Sequence, residues 1–141
     1  MEYVREIKFR AWDEKKKVMR NVNGINFSTK SVQCEPKDGI DSNSEMYDPF
    51  LFVGKYKLMQ YTGLKDKNGV EIYEGDVLRG WIDSHWHSGE DKFVEVVKYD
   101  EKTASYNFPA IEVRHGDLEV IGNIYENKQL KELINFGTTT K

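Results

Sequence analysis

The chain carries a single cysteine, Cys34. No disulfide can form within it, and no cysteine-based zinc site can be built. Such a thiol fits a reducing compartment, and no activating residues flank it to mark a catalytic nucleophile. Long hydrophobic runs are also missing. No stretch approaches the ~20 apolar residues of a membrane span, and no basic start, apolar run and small-residue cleavage site opens the chain. A soluble, cytoplasmic protein with no membrane contact is therefore expected. Neither sign of charge dominates: 21 basic and 24 acidic residues leave a formal net charge of −3. A polyanionic partner would have to be met by a local basic patch.

The signatures of common catalytic sites are absent as well. There is no Gly-x-Ser-x-Gly elbow, no phosphate loop, no His-Glu-x-x-His and no dinucleotide fingerprint. Glu71, Glu74 and Asp76 lie close along the chain, but in a turn-rich segment where carboxylates serve turn geometry. Neither an enzyme nor a cofactor is expected.

What is present is a β composition. Proline is scarce, at three in 141 residues, while aromatics reach 13%, which suits a twisted sheet with a small interior. At this length roughly 70% of the unfolded surface can be buried without staples. Arg5 to Trp12 alternates Ile7, Phe9 and Ala11 against Lys8, Arg10 and Trp12, as a half-buried strand does. Val18 to Phe27 resumes the pattern across Asn23-Gly24, a turn-prone pair, so a hairpin is expected there. Residues 28 to 48 are polar with weak periodicity and read as a variable loop or insert.

An apolar run from Phe50 to Gly54 precedes Leu58 to Arg79, which Gly63, Asp66 to Gly69 and Glu74-Gly75-Asp76 cut into short β segments. Gly80 to Asp91 interrupts with Trp81, His85, Trp86 and His87, and Phe93 to Tyr99 alternates as a strand. Ser105 to Val113 and Leu118 to Tyr125 read as two more strands around Arg114 to Asp117. Only the end looks helical, where Asn127 can cap a segment with Leu130, Leu133 and Ile134 on one face. The expected fold is mainly β. It has an N-terminal β-hairpin region with a polar loop (1–49), an SH3-like small barrel (50–126) and a short C-terminal helix with a frayed tail (127–141).

Four blocks, Arg5 to Asp13, Leu58 to Gly69, Ile72 to Asp76 and Val120 to Asn127, together resemble the YopX protein family. The resemblance implies a small, mostly β protein encoded by bacteriophages and prophages, with an SH3-like barrel component and no established biochemical activity. Residues 28 to 48 and 80 to 92 read as loops particular to this member.

Physically, most of these blocks look like fold constraints. Thr62-Gly63 and Asp66 to Gly69 read as turns, Gly75-Asp76 as a bend entering a strand, and Gly122 as a kink or close approach. A partner or ligand surface would draw on Trp12, Gln60, Tyr61, Trp86, Asn123 and Tyr125, whose side chains combine apolar area with a polar edge. Self-association is one use of such a surface, with Trp81, Trp86 and Phe93 as further contacts; binding a phage or host protein is another. The alternative is nucleic-acid binding. Arg5, Lys8, Arg10, Lys15, Lys16, Lys17 and Arg20 make the N-terminus basic around Trp12, a stacking platform. His85 and His87, with Asp83 and His115, raise the question of a metal, but the sequence fixes only two ligands of the three or four required, and none is expected.

Overall fold

The computed structural model describes residues 4–36, 46–48, 56–83, 88–107 and 118–139. The chain divides into two compact units, Met1–Tyr61 and Thr62–Lys141. It is mainly β, with antiparallel sheets and one short helix among the described residues.

In the first unit, β1 (Phe9–Asp13), β2 (Val18–Asn26), β3 (Ser31–Cys34), β4 (Met46–Asp48) and the start of β5 (Tyr56–Lys65) follow the order β4-β3-β2-β1-β5. β1 is central: Ala11 sits between Arg20 of β2 and Leu58 of β5. Ala11, Val32, Cys34 and Tyr56 form the buried cluster, with Val22, Ile25 and Leu58 against it. The β1–β2 reversal is organised by Asp13, whose carboxylate accepts the backbone N–H of Lys15 and Lys16 at 3.1 and 3.0 Å. Lys17 closes the turn with φ 55°. Asp13 also receives Nε and Nη2 of Arg20 at 3.0 Å each. Arg20 is only 1% exposed, and its guanidinium donates as well to the Glu35 carbonyl. A buried ion pair is tolerated here because both members are held by further hydrogen bonds.

Three expectations for this unit change. Ile7 is 72% exposed and lies ahead of β1, so the buried face begins later than the alternation implies. Asn23-Gly24 does not reverse the chain: both residues stay in β2, at a register shift between Val22 and Gly24, as a bulge. The reversal falls instead after Asn26, whose Oδ1 accepts the N–H of Ser28 and Thr29 and leads to Lys30 at φ 54°. As a result Ser31–Cys34, expected to be loop, is a strand with Val32 and Cys34 buried. The Phe50 to Gly54 run lies outside the described residues.

In the second unit, the end of β5 pairs with β6 (Glu71–Tyr73). β7 (Asp76–Asp83) lies between β8 (Glu90–Val96) and β11 (Glu119–Asn123), and β9 (Tyr99–Asp100) pairs with β10 (Ser105–Tyr106). Ile72, Leu78, Val97 and Leu118 are buried together, flanked by Leu64, Phe93, Tyr106 and Val120. Among the described residues these ladders do not close into a barrel. Asp66–Gly69 and Glu74-Gly75 reverse the chain as expected, with Gly75 at φ 85°. Thr62-Gly63 does not; it remains inside β5, where the Thr62 hydroxyl donates to the Ile72 carbonyl at 2.8 Å and accepts the Leu64 N–H.

The expected Gly80 to Asp91 interruption is shorter, because β7 continues to Asp83 and β8 begins at Glu90. The segment from 108 to 117, with Val113 and the Arg114 to Asp117 reversal, lies outside the described residues. Gly122 sits at a register shift in β11 with φ 154°, and a Cβ there would meet Asn127 Oδ1 and Leu130 Cδ1, each at 2.6 Å. Helix α1 (Leu130–Thr139) follows. Asn127 does not cap it through its side chain: Oδ1 accepts the Asn123 N–H, while the Asn127 carbonyl accepts the N–H of Leu130. Leu133 is exposed rather than docked. Among the described residues no helix is long and apolar enough to cross a membrane.

Candidate functional site

The residues expected at a partner surface fall mostly inside. Trp12 and Tyr61 are 4% and 3% exposed, buried rather than presented to a partner. Gln60 is half-buried beside Phe9 on the β5 ladder. Asn123 is buried in the second unit as a turn residue: Oδ1 accepts the N–H of Tyr125 and Glu126, and Nδ2 donates to the Glu126 carboxylate. Tyr125 is half-buried beside it. Trp86, His85, His87 and His115 lie outside the described residues, as does the Asp83 side chain.

The basic N-terminal set is only partly on the surface. Arg5, Lys15, Lys16 and Lys17 are exposed, the three lysines on the turn that Asp13 holds. Lys8 pairs with Glu6 at 2.9 Å and reaches to 5.8 Å from the Tyr61 ring centre. Arg10 is half-buried in β1 and Arg20 is buried on Asp13. Trp12, the intended stacking platform, faces away from solvent, so these cations do not surround an available aromatic ring.

A different group converges in the second unit. β7 turns Leu78 and Gly80 toward the core and Arg79 and Trp81 outward, as strand alternation requires. Gly80 is needed for that inner contact: a Cβ on it would lie 2.6 Å from the Phe93 ring and 3.2 Å from Leu118. Across the ladders, Lys92 stands opposite Trp81 and Glu119 opposite Arg79. The β5–β6 turn supplies Lys67. That turn is tied down by its own backbone, Lys67 N–H donating to the Leu118 carbonyl, and by Asp66, which accepts the N–H of Asn68, Val70 and Val120 at 2.8, 2.9 and 3.0 Å.

Together Lys67, Arg79, Trp81, Lys92 and Glu119 line an open depression of about 200 Å³. Trp81 is 42% exposed within it. Arg79 Nη2 donates to Glu119 Oε2, and Lys67 Nζ stands 3.7 Å from the same oxygen. The Arg79 hydrogen bond holds the Glu119 carboxyl below the usual range; burial opposes this, the charges of Arg79 and Lys67 reinforce it, and the charge of Asp66 works against it. Burial pushes the Asp66 carboxyl up, but its bonds from Val120, Val70 and Asn68 and the charge of Lys67 outweigh that, so its pKa is also lowered. The depression thus presents an indole face beside three cations and one fixed carboxylate. Such a surface can bind a flat or anionic group; among the described residues no three His, Cys, Asp or Glu side chains converge to hold a metal.

From the sequence Trp81 is a loop aromatic and a candidate self-association contact, while Lys67, Arg79, Lys92 and Glu119 are missed. The available signal is Leu78-Arg79-Gly80-Trp81, whose in-out alternation continues through the glycine that reads as the start of a loop.

The curated proteins include no match to this chain. Among solved structures, the crystal structure of protein EF1440 from Enterococcus faecalis is similar, with 30% sequence identity and a TM-score of 0.59 over 90% of this chain and 99% of that one. The YopX protein family matches residues 8–132, a span that takes in most of both units. The chain therefore belongs to the YopX family.

Proposed function

We propose that this YopX-family protein is a non-enzymatic binding module whose contact surface is the Arg79–Trp81 end of β7 in the β11-β7-β8 sheet, anchored by Trp81. One observation carries the reading: a tryptophan in a hydrogen-bonded strand, between two paired neighbours, exposes 42% of its surface in a depression. Indole area left in water in a depression otherwise lined by charged side chains is the residue type of a binding hot spot. Of the other aromatic candidates in the described residues, Trp12 and Tyr61 are buried and Tyr125 is half-buried beside Asn123. Kinship with a phage and prophage family supports a role in phage biology. The run of short antiparallel strands joined at Gly69 and Gly75 supports an SH3-like architecture for the second unit.

The test is photocrosslinking in the expressing cells. A benzophenone amino acid placed at position 81 is expected to yield a discrete adduct, while the same probe at Tyr99, exposed elsewhere on the unit, yields none. Sensitivity of the adduct to nuclease or protease, or a mass of twice the chain, then separates nucleic acid, another protein and a second copy. Equal, diffuse labelling at both positions would end the proposal.

A further inference from the structure

We propose that the depression formed by Lys67, Arg79, Trp81, Lys92 and Glu119 binds single-stranded nucleic acid, one base stacking on the Trp81 indole with flanking phosphates at Arg79, Lys92 and Lys67. This rests on the binding-module reading and names its ligand.

The composition of the depression selects the ligand. Over the whole chain acids outnumber bases, yet among the described residues that line the depression three cations face one carboxylate. An excess of positive charge concentrated around a single exposed indole departs from the molecule's average in the direction that attracts phosphate. An apolar protein anchor would require a hydrophobic lining, and among the described residues Trp81 is the one apolar side chain in this wall. Glu119 does not cancel the site. It accepts from Arg79 and stands near Lys67, so it fixes the planar guanidinium beside the indole, while Lys92 approaches from the opposite strand.

Size and shape point to a single strand. About 200 Å³ of open space accommodates one base and part of its sugar, and a base reaches an indole face only when it is out of a duplex stack. Every base has a π-face, so stacking on Trp81 tolerates any sequence, with modest preferences only. The support is rigid: Trp81 and Lys92 are a cross-strand pair, and Lys67 rides on a turn whose backbone is bonded to Leu118 and Val120. The backbone is thus in place before binding, and the ordering left to be done is that of the exposed Lys67 and Lys92 side chains.

The experiment is fluorescence anisotropy of labelled single-stranded and duplex oligonucleotides with the full chain over a range of salt. The single strand is expected to bind more tightly than the duplex, and Trp81→Ala to weaken binding roughly tenfold to a hundredfold, the range for one stacked base. Trp81→Phe should recover most of that loss. Lys92→Glu, an exposed change that leaves the core untouched, should weaken binding and reduce the slope of log affinity against log salt by about 0.7, one phosphate contact on a single strand. Circular dichroism melting of each variant shows that it is folded, and Lys92→Glu decides the matter should Trp81→Ala fail to fold.

Three results overturn the proposal: no single-strand binding up to about 100 µM at low salt, the weak end of non-specific affinity; preference for duplex; or binding that survives Trp81→Ala and Lys92→Glu but is lost on changing Lys15, Lys16 and Lys17. A protein adduct at position 81 together with absent oligonucleotide binding would reject the nucleic-acid ligand while leaving the binding face in place.

Discussion

Asp13 is the residue through which one side chain sets several features. It caps the Lys15 and Lys16 amides, defines the β1–β2 turn and neutralises Arg20 within the first unit. Removing one partner of a buried, hydrogen-bonded pair strands the other, so Arg20→Leu or Asp13→Ala is expected to lower stability by about 3–5 kcal/mol in urea unfolding. A loss below about 1 kcal/mol, the worth of an exposed pair, would contradict the buried assignment. Asp66 gives a pH test. Its folded pKa lies below the ordinary 3.8, so the stability it confers is complete above the unfolded value and is lost as pH falls through the lower folded one. Asp66→Asn should be less stable at neutral pH, because its amide cannot accept the Val120 and Val70 N–H groups together, yet show a flatter decline below about pH 4. Parallel acid profiles for the two proteins would refute that role. Both aspartates are hard to rank from sequence: Asp66 stands in a recognisable turn, but its bond to Val120 spans 54 residues, and nothing local in Asp13-Glu14-Lys15 signals a buried arginine partner.

At the scale of elements, glycine decides which sequence signals succeed. Gly69 and Gly75 make the reversals that their contexts imply, since Asp66 and Asp76 accept nearby backbone N–H groups and fold the chain back. Gly24, Gly63 and Gly80 sit within strands instead. The difference is tertiary: Gly24 occupies a bulge, and Gly80 makes room for Phe93, contacts invisible to a local pattern. Gly80→Ala is therefore predicted to destabilise by about 1–3 kcal/mol through overpacking, measured as a shift in urea midpoint with unchanged slope. An unchanged midpoint would mean that the Phe93 ring moves aside without cost. β3 escapes recognition for another reason. Four residues amid a polar stretch give too short an alternation to register, although Val32 and Cys34 end up among the most buried side chains of the unit.

On the scale of the whole molecule, the β class and the family are legible in the chain, and the site is not. Periodicity reports which positions alternate; it does not report which alternating face is covered. Trp12 and Trp81 both lie in strands flanked on two sides, β1 by β2 and β5 and β7 by β8 and β11, yet one is buried and the other open, because cover over the sheet face differs: β1 buries Ala11, Trp12 and Asp13 in succession while Trp81 stays 42% exposed. The division into two units has no clear local signature either, since it falls inside β5 between Tyr61 and Thr62, where Thr62-Gly63 reads as a turn yet the strand runs through it. Nor does the net charge of −3 foretell a depression with three cations. That grouping needs β7, β8, β11 and the β5–β6 turn to be assembled first.

The central claim, that Trp81 is the contact point, is tested most directly by the indole N–H resonances of protein labelled with ¹⁵N-tryptophan during titration with a single-stranded oligonucleotide. The Trp81 resonance is expected to shift progressively to saturation while that of buried Trp12 stays in place. A Trp81 resonance that does not move as the oligonucleotide saturates the protein, or a shift confined to Trp12, would contradict it.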